Sequence, residues 1–223
     1  MRNRRLFTVL SALACLIAVA GEFTTMFLYG ARYPGYSQMR DTLSHLGASA
    51  SPVSAQVSAW WVIMGALMIL FGIGIRSTFR GGGRNAGRSA WLVILYGLGE
   101  GFGSGLFKAD RIAGELSASA FIHDIVGGIG VAAILLLPLF MRKIVSREAF
   151  PFFERMSRII FIGGFITIGL FLFRYSSNSE NFLSLNKGLW QRLFLLNTYT
   201  YFSTIAVIML LKGKGTASGA GPS

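Results

Sequence analysis

Residues 120–141 read AFIHDIVGGIGVAAILLLPLFM, with only two ionisable side chains, His123 and Asp124, both near the leading end. A helix of this length rises about 33 Å at 1.5 Å per residue, enough to cross about 30 Å of hydrocarbon. No period-two alternation is present, so the run reads as a membrane-spanning helix and not as a barrel strand. Five further runs of the same kind flank it: Leu6–Gly30, Val57–Ile75, Ser89–Phe107, Ile159–Phe173 and Leu189–Leu211. The fifth span, Ile159–Phe173, is short, and Met156 to Arg158 extend it. The sequence therefore predicts an all-α membrane protein, a single six-helix transmembrane domain over residues 1–212. A disordered cytoplasmic tail is expected over 213–223.

Composition agrees. Of 223 residues, 53% are hydrophobic and 13% charged, with mean hydropathy +0.57, where a soluble domain carries about 25% charged residues. The net charge of +12 would suggest nucleic acid in a soluble protein. Here the basic residues sit in short connections between apolar runs, which points to membrane lipids as partners and gives no nucleic-acid surface. With the N-terminus inside, fourteen of the 21 Lys and Arg residues fall on the inner side and seven (Arg32, Arg40, Lys108, Arg111, Arg174, Lys187 and Arg192) on the outer. That asymmetry places both ends in the cytoplasm of a multi-pass protein. Arg2–Arg5 followed by Leu6–Ala20 also has the form of a cleavable signal peptide, but the apolar stretch continues to Leu28, so a retained helix is expected. Cys15 lies inside the first span and permits no internal disulfide.

The connections are short except the first outer one, Ala31–Gln56. Pro34-Gly35 and Ser51-Pro52 mark turns in it, and Asp41 is placed to cap a short helix over Thr42–Leu46. The inner segment Gly81–Gly87 reads as a flexible basic loop. Glycine pairs at Gly127-Gly128 and Gly163-Gly164 suit close helix packing.

Ionisable groups inside spans cost about 2.5–3.5 kcal/mol each, so they mark candidate sites and face the bundle interior. Glu22, Glu100, His123 with Asp124, and Gln191 with Arg192 all fall in the outer halves of their spans. Tyr96, Glu100, Ser104 and Lys108 recur every four residues as one polar stripe, beside the small-residue stripe Gly97, Gly101 and Gly105. Asp110, Arg111 and Glu115 lie just beyond. Simple alternatives exist for most: Glu100 neutralised by Arg192 or Lys108, Asp124 capping a helix, His123 at headgroup level, and Ser44 and His45 as solvated loop residues; Glu22 is harder to dismiss, because nothing basic lies near it on its own helix. Asn197, Thr198, Tyr199 and Tyr201 read as interhelical hydrogen-bonding residues.

Sharper motifs fail. Gly97–Gly103 never completes G-x-G-x-x-G and lacks a βαβ context, and Gly81–Arg84 lacks the Gly-Lys-Ser/Thr ending of a phosphate loop. Two histidines cannot make a three-histidine zinc site. A mixed metal site from His45, His123, Glu22, Glu100 and Asp124 stays open as a minor alternative, as does a Ser44–His123 triad; no metal or other cofactor is assigned.

The order of features resembles a family. Asp41-Thr42-Leu43-Ser44-His45-Leu46-Gly47 followed by Ser51-Pro52 is similar to the "S-x-L-G, then small-Pro" signature of the prokaryotic membrane proteins called domain of unknown function 998. Gly105–Asp110 followed by His123 resembles that family's "F-P-x-D … H" pattern, with Lys108 where proline is expected. Gly188–Leu193 resembles its "G-x-x-E/Q-R" element. The resemblance implies a six-helix bundle in a prokaryotic plasma (inner) membrane and implies no activity. Its matching positions, Ser44, Asp110, His123 and Arg192, fall on the outer side with the polar cluster.

Three functional expectations follow. The first is an outward-facing pocket that binds, senses or transports a small polar or lipid-like ligand, with Arg192, Lys108 and Arg111 on an anionic group and Ser44, His45, Tyr96, Asp110, Asp124 and Gln191 around it. The second is a membrane-embedded enzyme acting on lipids or isoprenoids, with His123 as base or acid, Glu100 or Glu22 orienting it, and Arg192 stabilising charge. The third is an accessory subunit packed against another membrane protein.

Overall fold

The computed structural model describes residues 2–112, 115–176 and 180–215. It is all-α apart from a two-stranded turn. Helix α1 spans Arg2–Ala31, α2 Leu43–Gly47, α3 Ser54–Thr78 and α4 Gly83–Tyr96. A π-helical stretch, Gly97–Gly103, follows directly, and α5 (Ser104–Leu106) completes that segment. Strands β1 (Arg111–Ile112) and β2 (Glu115–Leu116) pair antiparallel. Helices α6 (Ala118–Met141), α7 (Phe152–Leu172), α8 (Phe182–Leu185) and α9 (Lys187–Gly215) finish the described chain. Helices α1, α3, α6, α7 and α9 are each long and apolar enough to cross a membrane. The remaining span expected from the sequence, Ser89–Phe107, falls on the segment Gly83–Leu106, which the π stretch divides into shorter pieces.

The long segments pack in chain order around a ring: α1 on α3, α3 on α4, α4 on α6, α6 on α7, α7 on α9, and α9 back on α1. Single hydrogen bonds pin several of these seams, including Thr8 to Thr78 (3.1 Å), Ser157 to Tyr201 (2.8 Å) and the Asn197 amide to the Ile160 carbonyl (2.9 Å). Helix α7 buries 17% of its apolar window, against 39–50% for the other four, so most of its apolar surface is left uncovered by the bundle.

The glycine-rich seven-residue stretch Gly97–Gly103 packs on two sides at once. A Cβ at Gly101 would stand 2.3 Å from the Gly65 Cα of α3, and one at Gly99 would stand 2.3 Å from the Val126 carbonyl of α6. Only residues without side chains allow both approaches, and the wider π turn carries the alternate glycines to the two neighbours.

Several local expectations are corrected. Asp41 does not cap α2, because its carboxylate accepts the Ser37 N–H (2.8 Å); Thr42 holds the N-cap position without a side-chain bond. Asp124 does not cap α6, since Ser117 does so by accepting the Ala120 N–H (3.0 Å). The basic segment Gly81–Gly87 is not an open loop: a 3-10 turn, Arg80–Gly82, leads into α4, which opens at Gly83 with φ +53°. Gly128 does not pack closely, for a Cβ there would meet nothing within 4 Å. Helix α9 continues to Gly215, and the rest of the expected tail, 216–223, lies outside the described residues.

Candidate functional site

The ring encloses a cavity of about 540 Å³, with a lining drawn from every long segment of the bundle. It lies toward the end that carries the 31–53 connection. Its polar wall holds Glu22 from α1, Ser44 from α2, Tyr96, Glu100 and Ser104 from the π-interrupted segment, His123 and Asp124 from α6, and Gln191 and Tyr199 from α9. Its apolar wall holds Val131, Leu135, Phe165, Ile168, Leu172 and Leu195, among others.

Glu22 is 3% exposed. Its two oxygens accept the indole N–H groups of Trp60 (2.7 Å) and Trp61 (3.2 Å) at the start of α3. Both indoles are seated over glycine: a Cβ at Gly21 would fall 2.0 Å from the Trp60 ring, and one at Gly47 would fall 2.3 Å from the Trp61 ring. The Trp pair thus supplies the donors that a buried carboxylate requires.

Glu100 sits in the middle of the π stretch. Its carboxyl has no hydrogen-bond partner among the described residues, and the charged groups whose fields reach it are Glu22, Arg174 and Asp124. Gly127 on α6 leaves it room, since a Cβ there would stand 3.1 Å from Glu100 Oε1 and 3.8 Å from Ser104 Oγ. The hydroxyls of Tyr96 and Tyr199 bond each other at 3.0 Å in the same floor.

His123 donates from Nδ1 to the Phe107 carbonyl (2.9 Å), which leaves Nε2 as an acceptor. Its ring is oriented by main chain, so the histidine–carboxylate dyad expected for an enzyme is not assembled. Asp124 pairs with Arg174 (3.3 Å) and accepts from the Tyr175 hydroxyl (3.3 Å), while Arg174 also bonds Tyr175 and lies 4.5 Å over the Phe171 ring. These three residues separate the cavity from a second hollow of about 280 Å³ lined by Asp41, His45, Arg111 and Lys187.

The expected anion-holding group does not come together at the cavity. Arg192 spends its donors on the first connection and on its own helix: Nε to Gln38 (2.7 Å), Nη1 to the Asp41 carbonyl (2.9 Å) and to the Gly188 carbonyl one turn back (2.8 Å), and Nη2 to the Tyr36 hydroxyl (2.5 Å). Burial of Tyr36 pushes its hydroxyl up to about 12 against the opposing pull of Arg192. Lys108 falls off the polar stripe because the helix ends at Leu106; its ammonium bonds Ser54 and Ser58 on α3, and desolvation lowers its pKa. Asp110 accepts both the Ser49 hydroxyl (2.6 Å) and the Ser49 N–H (2.7 Å), which hold its carboxyl below the usual range. Gln191 lines the cavity and accepts the Leu43 N–H (2.8 Å). His45 contacts Asp41 (3.4 Å) and Tyr33 (3.4 Å) outside the cavity. Among the described residues, no three His, Cys, Asp or Glu side chains gather as a metal-ligand cluster.

The family model described as "Protein of unknown function (DUF998)" matches residues 8–208, nearly the whole chain. The chain belongs to the DUF998 family. The matched region contains every residue of the cavity wall and every tie of the 31–53 connection, so cavity and connection both lie within the family's own domain. No curated protein and no solved structure matches the chain.

The site has members that sequence reasoning did not single out: Trp60, Trp61, Arg174 and Tyr175; Tyr199, expected as an interhelical hydrogen-bonding residue, makes that bond to Tyr96 and lines the cavity as well. The adjacent Trp60-Trp61 pair was a usable signal, because a carboxylate placed mid-span needs N–H donors from another helix.

Proposed function

We propose that this DUF998 protein crosses a prokaryotic plasma membrane six times with both ends in the cytoplasm, and that its cavity opens outward to bind a small amphipathic molecule drawn from the membrane. The sixth crossing is Gly83–Leu106, helical throughout and apolar on its outer face. The excess of Lys and Arg at the opposite end of the bundle supports the orientation. The tie from Glu22 to the α3 tryptophans supports a retained α1.

One observation carries the binding reading: a cavity of about 540 Å³ joins a polar floor to an apolar wall. That volume lies within the roughly 300–1,000 Å³ typical of small-molecule sites. Carboxyl groups at this depth cost insertion energy that a merely structural bundle has no reason to retain without pairing, and Glu100 has no such partner.

The test is mass spectrometry of protein extracted in mild detergent. Wild type should carry a small amphipathic molecule in about one-to-one ratio, and Leu135→Trp, which fills the apolar wall, should lose it while remaining folded. Recovery of both proteins bare, or equal loading of both, would remove this reading.

A further inference from the structure

The atoms that the cavity leaves unpartnered define the head its occupant must have, and this step rests on the binding reading above. Most polar groups on the wall are already satisfied. Both Glu22 oxygens accept from indoles, the Tyr96 and Tyr199 hydroxyls bond each other, Ser44 bonds Thr42 (2.8 Å), and Arg174 is held by Asp124. Left without a partner among the described residues are the Glu100 carboxyl and His123 Nε2 as acceptors, the Ser104 hydroxyl, and the Gln191 side-chain nitrogen as a donor. Both acceptors face the open cavity, so an occupant that displaces solvent from them must bring N–H or O–H groups of its own or leave them unsatisfied at a cost. The charge balance points the same way. Arg174 is the one basic chain among the lining residues, and Asp124 neutralises it, which leaves Glu22 and Glu100 as the uncompensated pair. An anionic head would face both.

The tail has an exit. Gly128 on α6 and Gly169 on α7 both line the cavity, both are exposed, and a Cβ at either would meet nothing within 4 Å. Phe165 and Leu172 of α7 line the cavity and are 47% and 53% exposed. The seam between α6 and α7 therefore joins the polar floor to the surface that faces lipid.

We infer that the occupant is a single-chain amphiphile with a primary-amine head. Its ammonium donates to the Glu100 carboxylate and His123 Nε2, and its alkyl chain leaves between α6 and α7 past Gly128 and Gly169.

The probes are dodecylamine, dodecanol and dodecanoate, titrated calorimetrically into the full-length protein in matched detergent. Dodecylamine should bind saturably at one site, about tenfold or more tighter than dodecanol, the ratio expected for a charge-assisted bond. Dodecanoate should bind weakest. Glu100→Gln should bring the amine down to the level of the alcohol without changing the melting temperature, and Gly169→Leu should weaken amine and alcohol alike. Dodecanoate or dodecanol binding as tightly as the amine would overturn the amine assignment and leave the pocket standing. Absence of saturable binding by all three would overturn both.

Discussion

Single side chains in this protein divide into those that lock the frame and those that face the cavity. Glu22 belongs to the first group as much as the second. Glu22→Ala strips the acceptor from two indole N–H groups, at about 1–3 kcal/mol each, whereas Glu22→Gln keeps one; thermal unfolding in detergent should rank wild type, then Gln, then Ala. Arg192 is wholly a frame residue. Arg192→Lys loses the planar fork that reaches Gln38, Asp41, Gly188 and Tyr36 together, and hydrogen exchange over residues 36–43 should rise by tenfold or more. Asp110 ties the same end of the molecule through Ser49. Its folded-state value lies below the unfolded one, so the tie contributes fully above about pH 3.9 and is lost as pH falls through the folded value. Exchange at the Ser49 N–H should therefore accelerate in acid, and Asp110→Asn should remove that pH dependence. At this scale the sequence was a partial guide. Mid-span carboxyls and His123 stood out because charge in an apolar run is visible, but Arg192 and Lys108 were assigned to a ligand when the 31–53 connection and α3 take up their donors. Those ties join residues as far apart as Gln38 and Arg192, and no local pattern reports them.

Among the elements, the segment Gly83–Leu106 determines the shape of the site. Its apolar length and its Gly97, Gly101 and Gly105 stripe were legible, and that stripe does lie on α3. The π turn was not, because it depends on α3 and α6 pressing from two sides onto Gly99, Gly101 and Gly103. It keeps Tyr96, Glu100 and Ser104 on the cavity wall while the chain turns away before Lys108. Glycines on this segment and on the α6 seam should respond oppositely to the same change. Gly101→Ala drives a methyl into the Gly65 backbone, and we expect a loss of at least about 2 kcal/mol, within the overpacking range. Gly128→Ala meets empty space and gains helix propensity of about 0.5–1 kcal/mol, so its melting temperature should equal or exceed wild type. The end of α2 shows a smaller lesson: Asp41 looked like a cap by type and place, but a nearer N–H, that of Ser37, claims it.

At the scale of the whole molecule, six helical segments in chain order form a ring whose centre is not filled at one end. Hydropathy alone was enough to place the long helices, since the cost of exposing backbone in lipid leaves few alternatives. The cavity was foreshadowed only by the shared depth of Glu22, Glu100 and His123, which says that polar groups meet but not how much space they leave. The same ring sets the account's central claim, an intramembrane cavity reached from the outer face. Ser104 lines it and is 4% exposed, so a cysteine there reports on the cavity itself. Ser104→Cys in a Cys15→Ala background should react with a small, membrane-impermeant cationic thiosulfonate added to the outer face of intact cells, and dodecylamine should protect it. Modification from the cytoplasmic face of inverted vesicles instead, or none from either face while the unfolded protein reacts, would contradict the claim.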